Sequence, residues 1–197
     1  AENGAPNLLF KNETTKSGKL SFTNTTEEVG LNINNQRWSF AASWEDFDND
    51  GDQDLYVAND YGRNNLYRND AGKFTDIAAN TNTEDSASGM SVTWADYDRD
   101  GRMDLYVSNM FSAAGNRITG QQQFKSKTND KIRDRFRRFA RGNTLLRNIE
   151  SSFEDKSISA GVNMGRWAWG SNFIDLNNDS LADLVVANGY LTSKEET

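Results

Sequence analysis

The stretch that decides the fold is Trp44-Glu-Asp-Phe-Asp-Asn-Asp-Gly-Asp-Gln-Asp-Leu-Tyr-Val-Ala-Asn59. It recurs without gaps as Trp94-Ala-Asp-Tyr-Asp-Arg-Asp-Gly-Arg-Met-Asp-Leu-Tyr-Val-Ser-Asn109 and as Phe173-Ile-Asp-Leu-Asn-Asn-Asp-Ser-Leu-Ala-Asp-Leu-Val-Val-Ala-Asn188. A second block recurs ahead of each copy: Leu9-Phe-Lys-Asn12, Leu66-Tyr-Arg-Asn69 and Leu145-Leu-Arg-Asn148. A third block comprises Phe22-Thr, Phe74-Thr-Asp76 and Phe153-Glu-Asp155. The first aspartates of the copies, Asp46, Asp96 and Asp175, are separated by 50 and then 79 residues. A period of ~20–50 residues is the mark of solenoids, propellers and arrays.

Working outward, each unit reads as four short strands. Strand A ends at the tryptophan, as in Met90–Trp94, and the aspartate loop follows. Strand B is Asp104–Asn109, strand C Asn65–Arg68 and strand D Lys73–Ile77. The segments carry β-branched and aromatic residues and are bounded by Asn, Asp and Gly. The expected fold is all-β: four-stranded blades of the β-propeller type, arranged as one repeat domain over 1–197 with units at 7–59, 64–109 and 143–188. The chain opens with strands C and D and closes with A and B, which makes about three blades' worth of an open or partial propeller. The open ends could belong to a longer propeller, be covered by other segments, or pair with a second copy.

The loop pattern D-x-D-x-D-G-x-x-D suits a hard cation, which takes six to eight oxygens. In the first loop the ligand candidates are Asp46, Asp48, Asp50, the carbonyl of Asp52, and Asp54. In the second they are Asp96, Asp98, Asp100, the carbonyl of Arg102, and Asp104. In the third they are Asp175, Asn177, Asp179, the carbonyl of Leu181, and Asp183. Calcium is the expected ion, because magnesium keeps several waters and avoids all-protein cages. The third loop has fewer charges, through Asn177, and Ser180 in place of the turn glycine. An EF-hand is excluded, since its twelfth position needs Glu and here holds Val57, Val107 and Val186. Joining two strands, each ion would be structural.

These residues resemble the FG-GAP/VCBS repeat family, and more closely its ASPIC/UnbV branch, which includes the cartilage acidic proteins. The resemblance rests on Asn65-Leu-Tyr-Arg-Asn69 with Phe74-Thr-Asp76, on Trp94-Ala-Asp-Tyr-Asp-Arg-Asp-Gly101 and on Gly165-Arg-Trp-Ala-Trp169. It implies integrin-like propeller blades with calcium in the A–B loop, an extracellular or cell-surface location, and binding or adhesion in preference to catalysis. No C-terminal ASPIC/UnbV segment is visible.

Composition narrows the chemistry. The 197 residues contain no cysteine and no histidine, which removes disulfides, thiolate sites, His-based triads and nearly all zinc chemistry. With 22 basic and 29 acidic residues the net charge is −7, which disfavours nucleic acid as the partner. No apolar run is long enough to span a membrane. No signal peptide stands at Ala1, leaving a mature, truncated or cytosolic chain. Mean hydropathy is −0.82, but aromatic content of 11% argues against disorder.

Between the second and third copies lies a basic insertion, 111–142, placed between strands B and C. Thr128 to Gly142 reads as a helix capped at Thr128, Asn129 or Asp130, with Ile132, Phe136 and Phe139 on one face. Its Lys131, Arg133, Arg135, Arg137, Arg138 and Arg141 could pair with acidic blades or dock an anionic glycan or a neighbouring chain. The tryptophans Trp38, Trp44, Trp94, Trp167 and Trp169 are expected in the inter-blade core, with sugar stacking, as in a lectin, the alternative. Asn59, Asn109 and Asn188 are expected to bond turn backbone. Asn12 and Asn24 head N-x-T triplets that fit the glycosylation pattern. A carboxylate enzyme acting on polysaccharide is the remaining option, but the metal loops account for the acidic residues, and no enzyme is expected.

Overall fold

In the computed structural model, residues 3–15 and 18–189 are described. The strands are β1 (Phe10–Asn12), β2 (Phe22–Asn24), β3 (Trp38–Glu45), β4 (Asp54–Asp60), β5 (Asn65–Asp70) and β6 (Lys73–Asp76). They continue as β7 (Gly89–Ala95), β8 (Asp104–Asn109), β9 (Thr144–Asn148), β10 (Phe153–Asp155), β11 (Ala168–Ile174) and β12 (Asp183–Asn188). Three helices interrupt them: α1 (Ala78–Thr81), α2 (Ala113–Thr119) and α3 (Asp130–Arg141). The sheets are β1-β2, β3-β4-β5-β6, β7-β8-β9-β10 and β11-β12, all antiparallel. Among the described residues the architecture is an all-β, propeller-like array of two full blades flanked by two half blades, with no closed barrel.

Strand B shows why the blades stack. Along β4, Leu55 and Val57 point into one cluster with Leu31 and Tyr67, while Tyr56 and Ala58 point into another with Leu66, Leu105, Val107, Leu146 and Phe153. A strand with period-two side chains that are apolar on both faces must be covered on both. Each full blade is therefore packed between neighbours. On the far side of β8, Tyr106 meets Phe173 edge-on, with ring centroids 6.1 Å apart. Strand β12 differs: its Val185 is 45% exposed, because the described residues place no blade over that face.

The tryptophan expectation is only partly met. Trp94 packs between blades, perpendicular to Tyr56 at 6.2 Å and against Phe153 at 6.4 Å. Trp38, Trp44, Trp167 and Trp169 are each 40–49% exposed. The cause is position in the array: Trp94 lies on the strand flanked by blades on both sides, whereas the others line the half-covered ends. All three A strands also carry a register shift at the same place, between Ser39 and Ala41, Gly89 and Ser91, and Ala168 and Gly170. At Gly89 a Cβ would stand 2.9 Å from the Ala58 Cβ, so the adjacent blade packs against bare backbone there.

The insertion is helical, as expected, but docks differently. Asn129 is the N-cap of α3, its Oδ1 accepting from Lys131 N at 2.7 Å, and Gly142 ends it at φ 98°. Ile132 and Phe136 are 42% and 41% exposed, so the Ile132/Phe136/Phe139 face is not the buried one. The buried contact is made by Ala140, which faces α2 at Gly115, and by Arg138, which pairs with buried Asp85. A paired arginine can bury its stem, and here it draws that side of the helix onto the blades.

Candidate metal centre

The three aspartate loops share one wiring. In the first, Asp50 N and Gly51 N donate to the two oxygens of Asp46 at 3.1 and 3.0 Å, and Asp52 N donates to Asp50 Oδ1 at 2.9 Å. In the second, Asp100 N and Gly101 N donate to Asp96 at 2.9 Å each, and Arg102 N to Asp100 at 3.1 Å. In the third, Asp179 N and Ser180 N donate to Asp175 at 3.1 and 2.8 Å, and Leu181 N to Asp179 at 2.8 Å. The first carboxylate thus pins the turn in all three loops.

Two positions in each loop have left-handed backbone. The sixth position, Gly51, Gly101 or Ser180, has φ of 93°, 84° and 68°. Ser180 therefore adopts the turn without a glycine, at a steric cost that L residues normally avoid. The fourth position, Asn49, Arg99 or Asn178, also lies near φ 60°. Sequence reading overlooked that position. It links the loops: Asn49 Nδ2 donates to Gly101 O at 3.1 Å, and the Arg99 guanidinium donates to Ser180 O. Neutral asparagine fills this position twice and cationic arginine once; asparagine's tolerance of left-handed backbone was the signal the sequence offered.

The closing aspartates lie at the base. Asp54 and Asp104 are 1% and 0% exposed. Each accepts from strand C and from its own loop: Asp54 from Asn69 N at 2.8 Å and Phe47 N at 3.2 Å, Asp104 from Asn148 N at 2.8 Å and Tyr97 N at 3.3 Å. Burial pushes both carboxyls up to about 6, with the loop aspartates adding to the rise and the backbone donors opposing it. Asp48 is likewise raised, by burial first and then by Asp50 and Asp46. Asp183 accepts from Leu176 N at 3.1 Å in the same manner. Among the described residues no strand C reaches it.

The carboxylate oxygens of Asp46, Asp48 and Asp50 lie within 4.8 Å of one another, as do those of Asp96, Asp98 and Asp104. Like charges held this close, with oxygen donors only, fit a hard divalent cation. Asp54 and Asp100 stand outside these groups. Asp100 is turned toward Arg102 and toward Arg147, whose Nη2 lies 3.0 Å away, while Arg147 also holds Asp98 at 2.5 Å. The Asp52 carboxylate accepts from Ala71 N at 2.7 Å. In the third loop Asn177 Nδ2 donates to Asp179 Oδ2 at 2.9 Å, and no three-carboxylate group forms among the described residues.

The family model of the FG-GAP-like repeat matches residues 46–107. That match supports the FG-GAP repeat family. The matched stretch begins at the first aspartate of loop one and runs through loop two, so it covers both three-carboxylate groups. No curated protein matches the chain.

The expectation that the strand-end asparagines bond turn backbone is met at Asn59 and fails at Asn109. Asn59 Nδ2 donates to Arg63 O at 2.8 Å, across the short turn, and Asn188 Nδ2 to Gly165 O at 3.2 Å. Asn109 donates instead to Asp85 Oδ2 at 3.1 Å and to Thr144 Oγ1 at 3.1 Å, because the insertion replaces the tight turn after β8.

Proposed function

We propose that the chain is a calcium-binding, extracellular propeller repeat module of the ASPIC/UnbV branch, acting as an adhesion or protein-interaction scaffold. The observation that carries the reading is the recurrence of one loop wiring, with three carboxylates drawn together in two of the loops. Calcium there would neutralise the charge that the loops concentrate, and would tie strand A to strand B in each blade. The third loop is proposed as the weakest site, since Asn177 supplies no charge. The reading is of a binding module and not an enzyme, because the loop acids pin turns, pair with arginines or close the sites. Titration calorimetry with calcium and magnesium tests it: calcium binding at two or more sites, in preference to magnesium, is the expected result, and absence of heat with calcium refutes it.

The edge of β12 supports a partner of defined chemistry. In both full blades strand C donates an asparagine N–H to the closing aspartate, Asn69 to Asp54 and Asn148 to Asp104. Asp183 lacks that donor among the described residues. The segment Asn7–Asn12 carries the matching residues, so a strand of that type, from further repeats or a second copy, completes the last blade. Light scattering across a concentration series reads self-association directly.

A further inference from the structure

Helix α3 stands over the ends of the blades that are remote from the aspartate loops. Asp85, its anchor, precedes β7, whereas loop two follows β7, so the length of the strand, roughly 20 Å, separates them. Two clefts open between α3 and the blade ends. One, about 470 Å³, is bordered by Asn82, Lys131 and Arg135 and by three carboxylates, Asp85, Asp134 and Asp155, each already paired with an arginine. The other, about 440 Å³, is walled by Tyr61, Phe136 and Phe139. Ser86 and Arg135 line both, so the clefts meet at Arg135.

The charges along α3 are not used evenly. Arg133, Arg137, Arg138 and Arg141 pair with Asp130, Asp134, Asp85 and Asp155. The charged ends of Lys131 and Arg135 have no acidic partner among the described residues. Two unpaired cations at a cleft are conspicuous in a chain of net charge −7. The aromatic wall is also unusual. Tyr61 stacks on Phe139 with centroids 5.3 Å apart and planes at 26°, yet is 59% exposed. Its backbone is held at φ 54°, a conformation that a bulky residue rarely adopts.

We infer that this junction binds an acidic saccharide, its uronate or sulfate group at Arg135 and Lys131 and its ring against Tyr61. An arginine fork matches a carboxylate or sulfate through paired donors. An exposed aromatic face takes the C–H face of a sugar ring, and Asn82 and Ser86 offer an amide and a hydroxyl to ring hydroxyls. Each cleft has the volume of a small-ligand site. A nucleic acid would meet the acidic surface along its whole length, whereas one acidic sugar needs only this corner. The inference rests on the reading of the chain as an extracellular binding module, but not on its metal.

Calorimetry of the full chain, in excess calcium, against oligouronate, sulfated and neutral oligosaccharides is the test. Binding of an acidic oligosaccharide is expected, with the neutral analogue at least tenfold weaker. Arg135→Glu and Tyr61→Ala should each weaken binding tenfold or more while leaving the melting temperature unchanged. Both side chains are exposed, so both variants should fold. Absence of binding to every acidic oligosaccharide overturns the inference. So does affinity that survives Arg135→Glu, or that falls only in the aspartate-loop variant Asp48→Asn. Equal binding of an acidic peptide through Arg135 overturns the saccharide assignment. The calcium-induced melting shift, read on the same samples, judges the metal reading separately.

Discussion

Replacing Asp48 by Asn should change sign between metal-free and calcium-loaded protein. Asp48 shares a space with Asp46 and Asp50, their oxygens within 4.8 Å. A pair of unit charges at ~4 Å repels by about 1 kcal/mol even in a water-like dielectric. Removing one of the three charges therefore stabilises the metal-free fold by roughly 1–2 kcal/mol. Asn keeps an oxygen to accept from the Asp50 backbone, so the turn itself survives. With calcium present the balance reverses. A site filled at 100 times its dissociation constant adds about 2.7 kcal/mol, and two sites about 5 kcal/mol. For a domain of this size, 1 kcal/mol moves the melting temperature by about 2–4 °C, so calcium should raise the wild-type melt by about 10–20 °C. Asp48→Asn should lose about half of that rise, since one of the two sites is weakened. Differential scanning fluorimetry in excess chelator and in millimolar calcium gives four melts. The variant should lie above wild type in chelator and below it in calcium. Curves that do not cross, or a wild-type melt that ignores calcium, would refute the reasoning.

Three further outcomes are expected. In chelator, stability should fall as pH rises from about 4 through 6. The raised carboxyls of Asp54 and Asp104 keep protons in the folded protein that the unfolded chain has released, a cost on the order of 2 kcal/mol per group once both are ionised. Urea midpoints against pH check the sign, and calcium should flatten the curve. Arg138→Ala should cost about 3–5 kcal/mol in a urea melt, because it strands the Asp85 carboxylate, whose side chain is 1% exposed. Adding Asp85→Asn should recover part of the loss. Tyr56→Phe should cost about 1–3 kcal/mol in the same melt, since the fully buried hydroxyl donates to Thr83 O at 2.8 Å and accepts from Asn64 Nδ2 at 3.0 Å.

Much of the fold was legible because the repeat supplies its own alignment. The expected strand at 104–109 coincides with β8, and those at 90–94, 65–68 and 73–77 differ from β7, β5 and β6 by one or two residues at an end. Alternation of side chains and turn residues is local, and local patterns survive in one sequence. What went unread was non-local. The left-handed fourth loop position holds Asn49 and Asn178 but Arg99 in the middle copy, which breaks the one residue pattern that would have marked it. The tryptophans look alike in sequence, yet only Trp94 has a blade on either side.

The sequence by itself determined the blade and its aspartate turn. Four strands, one pinned loop and a pair of apolar faces are all set within one repeat, by periodicity and by the spacing of carboxylates. The tertiary structure decided what those parts face. It turned Asp100 toward Arg147 and brought Asp104 to Asp96 and Asp98. It hung α3 on Asp85 by its arginine side, leaving Tyr61, Phe136 and Arg135 around an open cleft. The reason is that a carboxylate's partner is chosen by which strand arrives beside it, and that strand here comes from 24 to 59 residues away in sequence at Asp85 alone.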